Sequence, residues 1–276
     1  GVYADGVAIA YTASLSTGEF SLSAALTGQL TADVKGSKTG GTYVNTTADI
    51  VQRIVLERTA LADIDAAAIT QLNTDSPGVV GLYVSGDSIT VLAALDTLIT
   101  GAGGYYAVDR AGQLTLGQFK APAGTPVLTL TDEDLAYGQM SLVRRYLPML
   151  SVRVGYERYF TTLYSAASTL TEAQRQRHRS EFLVAKATNT ITGHLLAVDG
   201  DLERSCFVSS ADASTEAARR AALWGTLRRV FRLPAFLAAQ QVQQGDVVGL
   251  ELSRYGLGSA LATVVGIRES VTGGRV

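Results

Sequence analysis

The chain has 276 residues, 47% of them hydrophobic and 17% charged, and a formal net charge of −2; this composition supports a buried core and excludes a disordered chain. A single cysteine, Cys206, excludes an internal disulfide, two histidines leave no ligand spacing for zinc, and no uninterrupted apolar run reaches the ~18 residues of a membrane span. The small net charge hides a division, because residues 1–140 hold 6 Lys/Arg against 14 Asp/Glu, a balance of −8, and residues 141–276 hold 17 against 11, a balance of +6.

Residues 3–35 alternate on a two-residue period, as in FSLSAAL and QLTADV, which predicts short antiparallel strands. GSKTGGTY, 36–43, reads as a turn-rich linker. Ile50, Val51, Ile54 and Val55 at helical spacing predict a helix over about 48–59, followed by an acidic loop through DID and NTDSPG. VVGLYV, 79–84, reads as a short strand. Ser88 is placed to cap a helix to about residue 100, with Leu92, Leu95, Leu98 and Ile99 buried and Gly101, Gly103 and Gly104 ending it. YYAVDRAGQLTLGQF, 105–119, predicts a hairpin around Asp109-Arg110-Ala111-Gly112.

Beyond PAGTP, 122–126, VLTL reads as a strand and TDEDL as a turn. MLSVRVGYERYF alternates at Leu150, Val152 and Val154, a strand with arginines on its other face. Thr171 and Gln174 match a capping box for an exposed helix over 171–181 that carries Arg175, Arg177, His178 and Arg179. FLVAKAT and ITGHLLAV read as strands, with a turn at Asp199-Gly200. Ala217, Ala221, Trp224, Leu227 and Phe231 predict a helix over 215–231, flanked by Arg219, Arg220, Arg228 and Arg229 and stopped by Pro234. Gly245-Asp246 turns the chain into a strand with Val248, Leu250 and Leu252 on one face. Leu261, Thr263, Val265 and Ile267 form its return, and Arg254-Tyr255-Gly256 lies in the connecting loop.

Catalysis needs polar groups that converge with matched pKa values, and this pattern offers few. Asp132, Glu133 and Asp134 are the densest acids, yet adjacent turn residues point in different directions; Asp109, Asp199 and Asp201 also fit turns. There is no G-x-S-x-G elbow and no G-x-x-x-x-G-K-[ST] loop, and GAGG at 101–104 ends a helix instead of opening one. His178 and His194 fit structural positions. RRYLPMLSVRVGYERYF, 144–160, interleaves arginine with aromatic residues, as a subunit interface, an exposed strand or a nucleic-acid clamp would. A pI of about 5.8 disfavours the last. The candidate interface residues are Arg144, Arg145, Arg153, Tyr156, Arg158, Tyr159, Arg254 and Tyr255; no catalytic residue, cofactor, metal or membrane span is expected.

The order of features resembles the hub or tip-associated structural proteins of long-tailed bacteriophages. The stretches that carry the likeness are QLTADVKG, TTADIVQRIVLE, GLYVSGDSITVLAALDTLITGAGGYYAVDRAGQLTLGQFKAPAGTPVLTLTDEDL, LPMLSVRVGYERYF, LTEAQRQRHRSEF, DASTEAARRAALWGTLRRVF and GDVVGLELSRYGLGSALATVVGIRES, together covering most of residues 28–269. The resemblance implies an α+β, β-rich chain in which barrel-like antiparallel β domains carry a small inserted α+β domain. On that basis residues 1–40 belong to a barrel-like domain, 41–126 form the α+β domain, and 127–276 form a β-rich domain with helices near 171–181 and 215–231. It further implies a homo-oligomeric ring, a trimer by expectation, at the distal end of the tail in the virion. Such a ring contacts other tail and baseplate proteins and is made in the bacterial host cytoplasm.

No collagen-like or cell-wall hydrolase segment is visible. GVYADGV and TGGRV read as mid-strand cuts, as in a piece of a longer polypeptide whose flanks could carry an enzyme or fibre domain. Two other readings remain open. One is a cell-wall glycan hydrolase using Asp109 with Asp132, Glu133 and Asp134. The other is a carbohydrate-binding host-recognition module using Tyr105, Tyr106, Tyr156 and Tyr159, which predicts a shallow aromatic-floored groove.

Overall fold

A computed structural model describes residues 1–14, 16–26, 28–60, 63–84, 89–135, 140–165 and 167–268. The chain is α+β with more strand than helix, and among the described residues its small sheets stay open, with no closed barrel. The strands begin with β1 (Val2–Ala4), β2 (Val7–Ala8), β3 (Thr12–Ser14), β4 (Glu19–Ser21) and β5 (Leu30–Ala32). They form the antiparallel sheet β2-β1-β5 and the hairpin β3-β4, in line with the two-residue period. A turn at Asp5-Gly6, both at positive φ, joins β1 to β2, and a side chain on Gly6 would run into the His178 ring. The linker is itself a hairpin, β6 (Lys38–Thr39) with β7 (Thr42–Tyr43).

Helix α1 (Thr47–Arg58) starts where Thr46 accepts the Asp49 amide and buries Val51 and Val55. The acidic loop expected after it contains a second helix, α2 (Ala66–Asp75), whose N-cap Asp65 accepts two amides and whose Ile69 and Leu72 are buried. Its apolar stripe is too short to stand out in sequence, and cap and packing form it together. Leu82, in VVGLYV, packs on the core, but that segment is no strand; it makes a single bridge, Val80 to Phe207. Ser88 lies outside the described residues, and Thr90 caps α3 (Val91–Gly101). Leu92 is 60% exposed; Ala94, Leu95, Leu98 and Ile99 form the buried face. β8 (Gly104–Val108) and β9 (Leu114–Gln118) pair as the predicted hairpin.

β10 (Leu128–Thr131), β11 (Ser141–Tyr146) and β12 (Met149–Tyr156) precede α4 (Glu172–Arg179), which carries the predicted capping box. Of the expected strand face, Val152 and Val154 are buried, whereas Leu150 is 39% exposed. His178, expected on an exposed helix, is buried under Tyr159 and the Asp5-Gly6 turn. β13 (Leu183–Thr188) follows, but of ITGHLLAV only Val198 is strand and 191–197 are irregular. β14 (Val198–Arg204) runs through Asp199 and Gly200, which are strand residues and not a turn. The reason is tertiary: β14 pairs in parallel with β12, and β13 pairs antiparallel on its other side.

α5 (Ser210–Trp224) is capped by Ser209 and ends at Gly225, short of the predicted 231. Arg228–Arg232 is instead β15, antiparallel to β11, so Leu227 and Phe231 are not on the helix. Pairing with β11, across a bulge between Leu142 and Arg144, outweighs a helical propensity already weakened by glycine. β16 (Val247–Leu252) pairs in parallel with β10 and antiparallel with β17 (Leu257–Thr263). The returning strand ends at Thr263, so Val265 and Ile267 lie beyond it.

Two apolar cores result. The first joins α1, α2, α3 and the β8-β9 hairpin to β12, β13 and α5 through Val51, Leu72, Leu98, Val152, Val154 and Ala217. Its fully buried Val, Leu and Ile side chains contribute about 1.5–3 kcal/mol each. The second gathers Leu130, Leu135, Val248, Leu250 and Leu252.

Candidate interaction surface

The eight candidate interface residues fall in three places. The first is the end of β12, with Arg153 and Tyr156, and the segment just after it, with Arg158 and Tyr159. Arg153 lies between Lys186 and Leu202 of the flanking strands and donates Nε to Gly200 O at 3.1 Å. Nearby, Ser151 Oγ donates to Asp199 at 2.5 Å; that bond, helped by Lys186, holds the Asp199 carboxyl below its ordinary range. Tyr156 packs onto the first core. At Glu157 the backbone enters positive φ, and its amide donates to Phe207 O at 2.7 Å.

Arg158 then stacks over the rings of Phe160, at 4.8 Å, and Phe182, at 5.7 Å, while its guanidinium reaches Glu181 at 2.9 Å. Arg204 shares the other oxygen of Glu181 at 3.9 Å. Arg158, Phe160, Phe182 and Arg204 line a cleft of about 340 Å³ with Gly81, Leu82, Asp96 and Cys206. Burial pushes the Cys206 thiol up to about 11, so it is a protonated wall residue and no nucleophile at neutral pH. Tyr159 lies edge-on to His178 at 5.2 Å beneath the Arg177 guanidinium. Burial raises its pKa, against the pull of Arg177.

The second place is the ribbon β11-β15, with Arg144 and Arg145. Its partner strand supplies Arg228, Arg229 and Arg232; sequence reasoning set Arg228 and Arg229 beside a helix running to 231, and no two-residue alternation in LRRVFR marks the strand. Arg145 lies directly opposite Arg229, and Leu142 opposite Phe231. Arg144 stacks on Tyr146 at 4.6 Å, and Tyr146 packs on Trp224 at 5.2 Å. The third place is the β16-β17 loop, where Asp132 accepts from Ser253 Oγ at 2.7 Å and from the Arg254 amide at 3.4 Å. The Ser253 bond lowers the Asp132 pKa. Arg254 and Tyr255 are exposed at that tip.

Another cluster escaped the sequence reading altogether. Glu216, 3% exposed, and Arg220, 5% exposed, lie on α5 with Nε to Oε1 at 2.5 Å. Arg220 also pairs with Glu203 and donates to Gly101 O at 2.6 Å. Arg219 pairs with Glu216 at 2.7 Å and donates to Phe119 O at 2.6 Å, and Gln118 donates to Ala102 O at 2.9 Å. The carbonyls that end α3 and β9 thus find donors on α5, which anchors the α3 and hairpin unit to the β12 sheet.

Three of the four acids of the hydrolase reading serve local roles: Asp109 accepts the Gln113 amide, Asp134 the Thr131 amide and hydroxyl, and Asp132 the Ser253 hydroxyl, while Glu133 is exposed. The tyrosines of the carbohydrate reading are also engaged. Tyr105 packs on Phe119 at 5.0 Å, Tyr106 bonds Asp96 at 2.6 Å, and Tyr156 and Tyr159 pack as described. Among the described residues no cluster of three His, Cys, Asp or Glu could hold a metal, and no helix is long and apolar enough to cross a membrane.

No protein-family model and no curated protein matches this chain. Among solved structures it is distantly similar to the tail protein from Neisseria meningitidis MC58, at 13% identity and a TM-score of 0.44. The likeness covers 79% of this chain and 59% of that one, so the chain spans less than two thirds of its neighbour's length.

Proposed function

We propose that this chain is a structural, non-enzymatic component of a bacteriophage tail tip or baseplate hub, working by assembly. Copies form a ring, a trimer in this reading, that joins the tail tube to host-binding or cell-puncturing parts at the distal end of the virion tail. The observation that carries the reading is the disposition of charge on the molecule. Arginines that pair with no carboxylate among the described residues stand on an exposed strand ribbon of the basic second half, while the first half carries the opposite balance. Such complementarity steers and registers protein contacts. Asp109, Asp132 and Asp134, three of the four acids that a hydrolase would use, are meanwhile committed to turns and loops.

The test is the mass of the purified chain in solution, by light scattering, together with an assay for release of sugar from cell-wall material. The expected result is an oligomer, or a monomer that assembles on tail partners, without hydrolysis. A strict monomer that degrades cell-wall material overturns the reading.

A further inference from the structure

We propose that the β11-β15 ribbon is the surface by which one copy of this chain docks on the acidic first half of the next; this rests on the assembly reading above. The ribbon is two strands with no third strand bonded to it among the described residues. Two-stranded ribbons are marginal alone, and unpaired edges invite further contact. Arg144, Arg145, Arg229 and Arg232 are exposed and make no ion pair among the described residues, and Arg228 spends its Nε on Leu223 O at 2.9 Å. Arg145 directly opposite Arg229 is a like-charge pair, which works against the ribbon in the isolated chain. An arrangement that opposes folding of one copy is explained if a second copy neutralises it.

The surface also carries apolar area that only a protein partner covers. Leu142 is 54% exposed, Val143 56% and Leu147 44%. Arginine interleaved with apolar residues fits a protein interface. A phosphate backbone would use the charge and leave those side chains wet, and the chain's net charge of −2 opposes a polyanion. The first half offers what the ribbon lacks: Glu19, Asp63 and Glu133 are exposed and hold no ion pair among the described residues. A contact between the ribbon of one copy and acids of the first half of the next is heterologous, a type that closes into a ring where its rotation allows.

The experiment is sedimentation velocity on the full chain over a range of concentration and salt, for wild type, for Arg145→Glu with Arg229→Glu, and for Arg145→Gln with Arg229→Gln. Wild type should self-associate and dissociate as salt rises. Charge reversal should weaken association at least about tenfold. The glutamine variant, whose fold is checked by circular dichroism, should weaken it less while raising the melting temperature of the monomer. An oligomer that persists unchanged in both variants overturns the ribbon as the contact and leaves the assembly reading intact. A wild-type chain that stays monomeric at every salt overturns the second copy as occupant, and the assembly reading then falls only if the monomer hydrolyses cell-wall material. Ribbon-dependent retention of a labelled DNA duplex at physiological salt also overturns the proposal, in favour of nucleic acid.

Discussion

Arg219-Arg220 and Arg228-Arg229 are the same dipeptide in one short stretch of chain, and they meet opposite fates. The first pair lies on α5, where Glu216, Glu203 and the carbonyls of Gly101 and Phe119 satisfy its donors in a largely buried site. The second lies on the ribbon, with Arg229 exposed and faced by Arg145. Arginine therefore has two uses here. Where carboxylates and helix-end carbonyls converge it locks one part of the fold to another; where they are lacking its charge stays exposed. The contrast also separates cost from benefit, because a buried guanidinium without its carboxylate is intolerable and an exposed one is merely repelled.

The contrast breaks most sharply at Glu216. Glu216→Ala leaves Arg220 buried with less compensation and should cost about 3–5 kcal/mol, read as a lower urea midpoint, whereas replacing Glu216 and Arg220 together by Leu and Met should recover most of the loss. Gly103 is the next test, since it adopts φ +65 and a Cβ there would press on the Arg219 and Glu216 side chains. Gly103→Ala should cost about 1–3 kcal/mol by the same assay.

Alkaline pH probes the α3 and hairpin unit without touching either arginine pair, because guanidinium stays charged. Burial first, and the bond to Asp96 second, push the Tyr106 phenol from 10.0 up to about 12. Its folded-state pKa is raised, so its contribution is complete below pH 10 and disappears as pH climbs through about 12. Asp96→Asn should lower the phenol's midpoint in an ultraviolet titration and leave ribbon-dependent association unchanged. The smallest effect belongs to the ribbon itself: Arg229→Gln removes the like-charge pair and should raise monomer stability by about 0.2–1 kcal/mol in a thermal melt.

Much of the fold was legible because its signals are local. The period in α1, the capping box of Thr171 and Gln174, the Asp109–Gly112 turn and the Gly245-Asp246 strand entry each rest on residues close in sequence, and each stands in the structure. The misreadings share a cause. Asp199-Gly200 looks like a turn until β12 lies beside it, and LRRVFR looks like helix until β11 does. Of the candidate surface, Arg144, Arg145, Arg158 and Tyr159 were visible as arginine among aromatics. The ribbon's other strand and the stacking of Arg158 on Phe182 were not, since they join segments distant in the chain.

The sequence by itself determined the α+β, strand-rich character, the helix caps, the tight turns and the opposite charge of the two halves, because composition and short-range periodicity need no partner to be read. Only the tertiary structure decided which arginines are consumed and which are left over. That choice depends on where carboxylates and carbonyls from α3, β9 and β14 arrive in space, and a guanidinium carries no mark in sequence of whether it will be met.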